Sequence, residues 1–332
     1  MTDNQFKALV LRQEDRKTVS HSETLTDADL PEGDVLVAVE YSSLNYKDGL
    51  AITGKGKIVR QFPLIPGIDL AGTVLESQTP AYQPGDKVVL TGWGVGERYW
   101  GGYTQRQRLQ SQWLVPLPTE LSTQQAMAIG TAGFTAMLCV MTLEEAGITP
   151  HGEKPVLVTG ASGGVGSVAV TLLANLGYSV TALTGRPESQ DYLRQLGATG
   201  FVSREEMAAT ARPLETQRWA AAVDTVGSSI LARVLAEVDY GGAVAACGLA
   251  GGADLPTTVM PFILRAVKLL GVDSVMCPLP RRKAAWERLA LDLPSSALNN
   301  IAQVAPLEQL PQLGQDIVAG KTRGRIVIDP NR

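Results

Sequence analysis

The stretch Pro155-Val156-Leu157-Val158-Thr159-Gly160-Ala161-Ser162-Gly163-Gly164-Val165-Gly166 constrains the fold of this chain more than any other. An apolar run feeds a glycine-rich turn, and a helical pattern follows over residues 165–176. A second apolar run, 179–183, comes next. Strand, crossover helix and strand make a βαβ unit, the building block of a parallel sheet. Runs at 221–224, 243–249 and 268–272 fit the same sheet. The expected fold class is therefore α/β, with a doubly wound parallel sheet. Between strand and helix, glycines admit a ligand's pyrophosphate close to the backbone, and free N–H groups at the helix start bind its charge. A G-x-G-x-x-G reading needs glycine at 161, 163 and 166; Ala161 replaces the first.

The end of the second strand selects the dinucleotide. A carboxylate about 20 residues after the turn would bind the ribose 2′-hydroxyl of NAD. This chain has Thr184-Gly185-Arg186 there. A guanidinium holds a 2′-phosphate through charge-assisted hydrogen bonds, which favours NADPH. Arg204, after the next strand, is either a second phosphate ligand or a plain surface charge. Residues 49–56 (Gly49-Leu50-Ala51-Ile52-Thr53-Gly54-Lys55-Gly56) approach a Walker A loop. They end in Gly where Ser or Thr must bind magnesium, and no strand feeds them directly, so residues 54–57 are expected to form a flexible loop over the active site.

The N-terminal part reads differently. Short strands at 6–11, 34–41, 72–75 and 87–90, punctuated by Pro and Gly, point to a β barrel or sandwich. Helical runs follow at 123–129 and 132–145, and the last strand, 325–328, resembles those of the first part. The expected organisation is a β-rich catalytic domain over residues 1–125, completed by 276–332, and a nucleotide-binding domain over 126–275.

Composition excludes several classes. A net charge of −4 gives no nucleic-acid footprint, and Arg281-Arg282-Lys283 reads as a solvated helix start. No stretch is read as reaching the ~18 apolar residues of a membrane span. The opening Met1-Thr2-Asp3-Asn4-Gln5-Phe6-Lys7 lacks the order of a signal peptide, so a cytoplasmic location is expected. Cys139, Cys247 and Cys277 stand far apart in apolar context and read as buried hydrophobes in a reducing compartment. His21 and His151 lie in polar, loop-like segments, and no Cys or His pair has ligand spacing, so no metal site is expected.

Taken with Gly130-Thr131-Ala132-Gly133-Phe134-Thr135-Ala136, the 161–166 turn and β-rich first domain resemble the medium-chain dehydrogenase/reductase superfamily. In Pro66-Gly67-Ile68-Asp69-Leu70-Ala71-Gly72, Ile68 stands where zinc-dependent members carry a ligand, as in the zinc-free quinone-oxidoreductase-like branch. Four further stretches resemble the acrylyl-CoA reductase (NADPH) group: 42–48, 91–97, 247–252 and 255–265. The resemblance implies a GroES-like catalytic domain, a Rossmann domain, a homodimer, and reduction of acrylyl-CoA to propanoyl-CoA with NADPH. It also implies that Tyr46, Leu249, Ile263 and Ser274 hold the nicotinamide. Ser162, Gly163, Gly164 and Val165 would hold the diphosphate, and Thr184, Gly185 and Arg186 the adenosine phosphate.

Reducing an enoyl thioester delivers hydride to the β-carbon and a proton to the α-carbon, with negative charge gathering on the thioester oxygen. The site therefore needs donors and an acid. Asn45 offers an amide and Tyr46 a hydroxyl, which marks both as catalytic candidates. A turn-forming Asn45 and a packed Tyr46 are the structural alternatives, while Asp48 reads as an orienting or capping carboxylate. Lys47, Lys55, Lys57 and Arg60 are candidate contacts for the phosphates of CoA. Two other functions stay open: an NADPH:quinone reductase, and a non-catalytic NADPH-binding protein.

Overall fold

The structure, a computed structural model, describes residues 4–332. Residues 1–3, the start of the segment read for a signal peptide, lie outside the described residues. The chain divides into two compact units. One comprises Met1–Thr131, Ser274–Ala290 and Leu298–Arg332; the other comprises Ala132–Asp273 and Leu291–Ala297.

The first unit is built on a seven-stranded sheet. Its order is Ala302–Pro306, Arg325–Asp329, Val35–Leu44, Asp69–Ser77, Lys87–Thr91 and Val115–Pro116, with Arg106–Leu109 also paired to Val35–Leu44. All pairings are antiparallel except that between Ala302–Pro306 and Arg325–Asp329. Val35, Val37 and Val39 alternate onto one face and pack against Leu70, Val74, Val88 and Leu90. Burial of that valine stripe fixes the register, because a one-residue slip would turn it to solvent. The last strand joins this sheet beside the third: Ile326 opposes Leu44 and Ile328 opposes Ser42.

A separate hairpin pairs Gln5–Glu14 with Lys17–Thr26. Its second strand was not expected, because Lys17-Thr18-Val19-Ser20-His21-Ser22 is polar and mostly half exposed. Asp15 and Arg16 both take positive φ, 47° and 64°, and close the hairpin with a two-residue turn. His21 thus lies in a strand, not a loop, with Nε2 2.9 Å from Glu14 Oε1.

The second unit is a six-stranded parallel sheet. Its order is Gly200–Ser203, Val180–Thr184, Val156–Val158, Trp219–Asp224, Val238–Ala246 and Lys268–Gly271. In chain order this is 3-2-1-4-5-6, the doubly wound dinucleotide topology. The winding reverses between Val156–Val158 and Trp219–Asp224, where such sheets open a ligand crevice at the strands' carboxyl ends. Leu157, Ala222 and Val244 are fully buried, as expected of strands covered on both faces.

Two expectations need correction. The Thr123–Glu145 helix is long and apolar enough to cross a membrane, the one such helix among the described residues. Most of it is buried within the protein, which makes it a core helix. It kinks at Gly130, φ 51° and ψ −162°, between the two helical runs read from the sequence.

Arg282 is not a solvated charge either; it is fully buried. Its Nη1 donates to Thr91 O and Thr91 Oγ1 at 2.7 Å each, and its Nη2 to Ser274 O and Val275 O at 3.1 Å each. The guanidinium also lies 4.9 Å from the centre of the Trp93 ring. These bonds dock the returning segment on the 87–96 region. Arg282→Ala removes four hydrogen bonds and opens a cavity. Its free energy of unfolding in urea should fall by about 3 kcal/mol or more, with Arg282→Lys recovering only part of the loss.

Candidate active site

The nucleotide turn follows the Val156–Val158 strand at the point of reversed winding. Gly160 sits at φ 59°, and a Cβ there would lie 2.3 Å from Thr225 Oγ1. A Cβ on Gly166 would meet Gly160 O at 2.4 Å. Glycine at 166 is thus what lets the Gly164–Asn175 helix pack against the strand end. Ala161, the departure from G-x-G-x-x-G, is fully buried, so its methyl fills a space away from the ligand side. The N–H groups of Gly164, Val165 and Gly166 have no acceptor within the helix they open, because the first helical turn cannot satisfy its own donors. That is the donor set a pyrophosphate requires.

The adjacent strand ends supply cations. Thr184 and Ser203 are register partners, so Arg186 and Arg204 leave neighbouring strands at the same edge. Arg186 Nη2 donates to Ser162 Oγ at 2.9 Å, and Arg186 N donates to Thr184 Oγ1 at 3.1 Å. A Cβ on Gly185 would lie 2.9 Å from Arg204 Nε, so Arg204 lies across that glycine. Ser162, Thr184, Gly185, Arg186 and Arg204, separated in sequence, form one cluster around the turn. Asp224, on the other side of the turn, accepts from Thr159 Oγ1 at 2.7 Å and from Gly227 N at 2.8 Å, and burial pushes its carboxyl above the usual range. The same unit leaves Leu249 and Ile263 more than two-thirds exposed. Apolar side chains so open on this unit are free to take up a ring or acyl chain.

In the first unit, a buried polar cluster takes up the Asn45 amide, while Tyr46 stays outside it. Asp69 Oδ2 accepts from Ser43 Oγ (2.5 Å), Asn45 Nδ2 (2.8 Å) and Thr131 N (2.8 Å); Oδ1 accepts from Thr131 Oγ1. Asp48 accepts from Asn45 N at 2.9 Å and Ile68 N at 3.0 Å. Arg325, nearly fully buried, donates to Ala128 O, Leu44 O, Asn45 Oδ1 and Ser43 Oγ at 2.9–3.3 Å. Its Nη2 lies 3.9 Å from Asp69 Oδ2. Gly130 admits the cluster: a Cβ there would come within 2.4 Å of Arg325 Nη2 and 2.7 Å of Asp69 Oδ2.

Asn45 therefore has no free amide for a substrate carbonyl. Its nitrogen serves Asp69, Asp48 and Ser43, and its oxygen serves Arg325. It positions the start of the Tyr46–Thr53 helix, and Asp48 caps that helix as expected. Tyr46, the first helical residue, is half exposed and open to a ligand. Ser274 is half-buried, and its carbonyl is held by Arg282. Among the phosphate-contact candidates, Lys47 is paired with Glu97 at 2.8 Å, while Lys55, Lys57 and Arg60 are exposed.

Sequence reasoning passed over Asp69 and Arg325. Asp69 stood in the zinc-position motif beside Ile68, and Arg325 at the head of an otherwise apolar strand was the available signal. It also passed over Trp93, which holds φ 57° between Gly92 and Gly94. Its Nε1–H is buried without an acceptor among the described residues. Such strain in a non-glycine residue collects at functional sites. Among the described residues no group of three His, Cys, Asp or Glu is placed to hold a metal ion.

Known proteins match both units. Residues 31–119 match the alcohol dehydrogenase GroES-like domain, and residues 164–293 match the zinc-binding dehydrogenase family. Acrylyl-CoA reductase AcuI of Ruegeria pomeroyi is 58% identical, covering 98% of this chain and 99% of that protein. The yhdH oxidoreductase of Salmonella enterica, solved in complex with NADP, is 57% identical over 97% of this chain and 99% of that one, with a TM-score of 0.96. YhfP of Bacillus subtilis, which carries a quinone oxidoreductase name, is 46% identical over 97% of this chain and 98% of that protein.

Two outcomes follow from this geometry. Burial, and then the neighbouring Asp69 carboxylate, raise the Asp48 carboxyl to about 7. The folded protein thus binds a proton that the unfolded chain, with an ordinary carboxyl near 4, releases earlier. That contribution is fully present below about pH 4 and is lost as pH rises through 7. The stability advantage of wild type over Asp48→Asn, read from urea midpoints, should shrink by roughly 2 kcal/mol between pH 5 and pH 7.5. A pH-independent difference would show that Asp48 is ionised throughout. For the nucleotide, Arg186→Ala should cut the preference for NADPH over NADH in kcat/KM by about tenfold or more, chiefly through the KM for NADPH.

Proposed function

The chain belongs to the medium-chain dehydrogenase/reductase superfamily, and on that footing we propose that it reduces the activated C=C bond of acrylyl-CoA to propanoyl-CoA with NADPH. The observation that carries this reading is 58% identity over nearly the whole length of an acrylyl-CoA reductase. The turn fits the nucleotide: Gly160 and Gly166 clear the backbone, three N–H groups stand open, and Arg186 and Arg204 flank Gly185.

NADPH, when bound, supplies the hydride. Gly164, Val165 and Gly166 would hold its pyrophosphate through their N–H groups, with Ser162 and Gly163 completing the turn. Thr184, Gly185, Arg186 and Arg204 would take the 2′-phosphate. Tyr46, Leu249, Ile263 and Ser274 would orient the nicotinamide. The Tyr46 hydroxyl would deliver a proton to the α-carbon or hold the thioester oxygen as negative charge gathers there. Asn45 acts through the buried cluster, fixing the helix that presents Tyr46.

The reading includes a zinc-independent reaction: Ile68 is buried where zinc-dependent members carry a ligand, and Asp69 is consumed by four hydrogen bonds. It also includes a cytoplasmic homodimer, as the resemblance implies. The quinone-reductase reading is kept because YhfP carries that name at 46% identity.

An NADPH-oxidation assay across acrylyl-CoA, crotonyl-CoA and simple benzoquinones separates these readings. Acrylyl-CoA should give the highest kcat/KM. A higher value for a quinone would replace the proposal, and NADPH binding without turnover of any acceptor would make this a binding protein. Tyr46→Phe should lower kcat on acrylyl-CoA about 100-fold if its hydroxyl donates the proton; near-normal turnover leaves it a packing role only.

A further inference from the structure

Arg60, Gln61, Arg98 and Tyr99 line an open cleft of about 540 Å³ in the first unit. Arg60 and Arg98 are exposed, and among the described residues neither guanidinium has a hydrogen-bond or ion-pair partner. This sets them apart from neighbouring Lys47, whose charge is spent on Glu97 at 2.8 Å. Two uncompensated guanidiniums lining one cleft repel each other, and a multiply charged anion relieves that repulsion.

The backbone beneath them is fixed. Arg60 N donates to Glu97 O at 3.0 Å, tying the two sides of the cleft together. Arg98 N and Tyr99 N both donate to Gly94 O, at 2.8 and 3.2 Å. Gly96, at φ 75°, packs so tightly on Gly67 that a Cβ would meet its carbonyl carbon at 2.9 Å. Tyr99 rests against Trp113, ring centres 4.8 Å apart and tilted by 42°, yet remains 48% exposed. A supported, half-open aromatic ring beside two cations suits a base attached to phosphates. Glu97, adjacent to Arg98, holds Lys47, which is adjacent to Tyr46.

We propose that this cleft binds the nucleotide end of the CoA thioester, with Arg60 and Arg98 on its phosphates and Tyr99 stacked on its adenine. The proposal rests on the thioester reading and deepens it. The cleft would make the enzyme selective for CoA over shorter thioesters carrying the same acyl group. NADPH carries the same chemistry, so the test holds it at saturation.

The full-length enzyme is assayed with acrylyl-CoA and with acrylyl-pantetheine, which lacks the nucleotide. Wild type should show a kcat/KM about 100-fold higher for acrylyl-CoA, roughly tenfold from each guanidinium. Arg60→Ala/Arg98→Ala should remove that preference by raising the KM for acrylyl-CoA about 100-fold while its kcat and the KM for NADPH hold. Tyr99→Leu should raise the same KM about tenfold. Equal use of both thioesters by wild type, or an unchanged KM in the double variant, overturns the cleft assignment and leaves the reductase reading standing. Failure of wild type to reduce either thioester while it reduces a quinone overturns the reading, and the assignment with it.

Discussion

Two carboxylates, Asp48 and Asp69, lie buried beside one guanidinium, Arg325, and the organisation of the first unit turns on that unequal ratio. Charges this deep persist only when nearly every lone pair and proton is used. Ser43, Asn45, Thr131 and the backbone at Ile68 and Ala128 supply the partners. They come from the third and last strands, the Asp69–Ser77 strand and the kink of the Thr123–Glu145 helix. One cluster therefore fixes four distant segments and the helix that begins at Tyr46. It also explains Gly130, where any side chain would displace the guanidinium.

In the second unit the governing constraint is steric. Gly166 lets a helix start approach the Gly160 carbonyl, and the helix's unpaired N–H groups then face outward at the winding reversal. Arg186 and Arg204 reach this position from adjacent parallel strands. The two units thus solve opposite problems. The first hides charge and satisfies it internally; the second leaves backbone donors at a helix start for an anion to satisfy.

The nucleotide half was legible in the sequence because its determinants are local. A strand, a turn and a helix within a short stretch, followed by Thr184-Gly185-Arg186, place themselves once the parallel sheet forms. The valine-rich third strand was legible for a similar reason, since alternation is written directly into consecutive residues. The hairpin strand at Lys17–Thr26 was not, because its polar residues carry no alternation and its turn uses Asp15-Arg16 in place of a glycine turn. Arg282 was misread because a buried arginine and a solvated one look identical until the carbonyls they meet are known. The two readings of Asn45 stayed open for the same reason: an amide's role depends on partners up to 280 residues away.

The sequence by itself determined the α/β class, the position of the nucleotide turn and the guanidinium that favours NADPH, because each is set by neighbours along the chain. Only the tertiary structure decided that Asn45 supports and Tyr46 faces outward, that Arg325 and Asp69 meet, and that Arg60 and Arg98 share a cleft. Charges and donors act over a few ångströms of space, and which of them become neighbours is fixed by strand pairing and helix packing rather than by spacing along the chain.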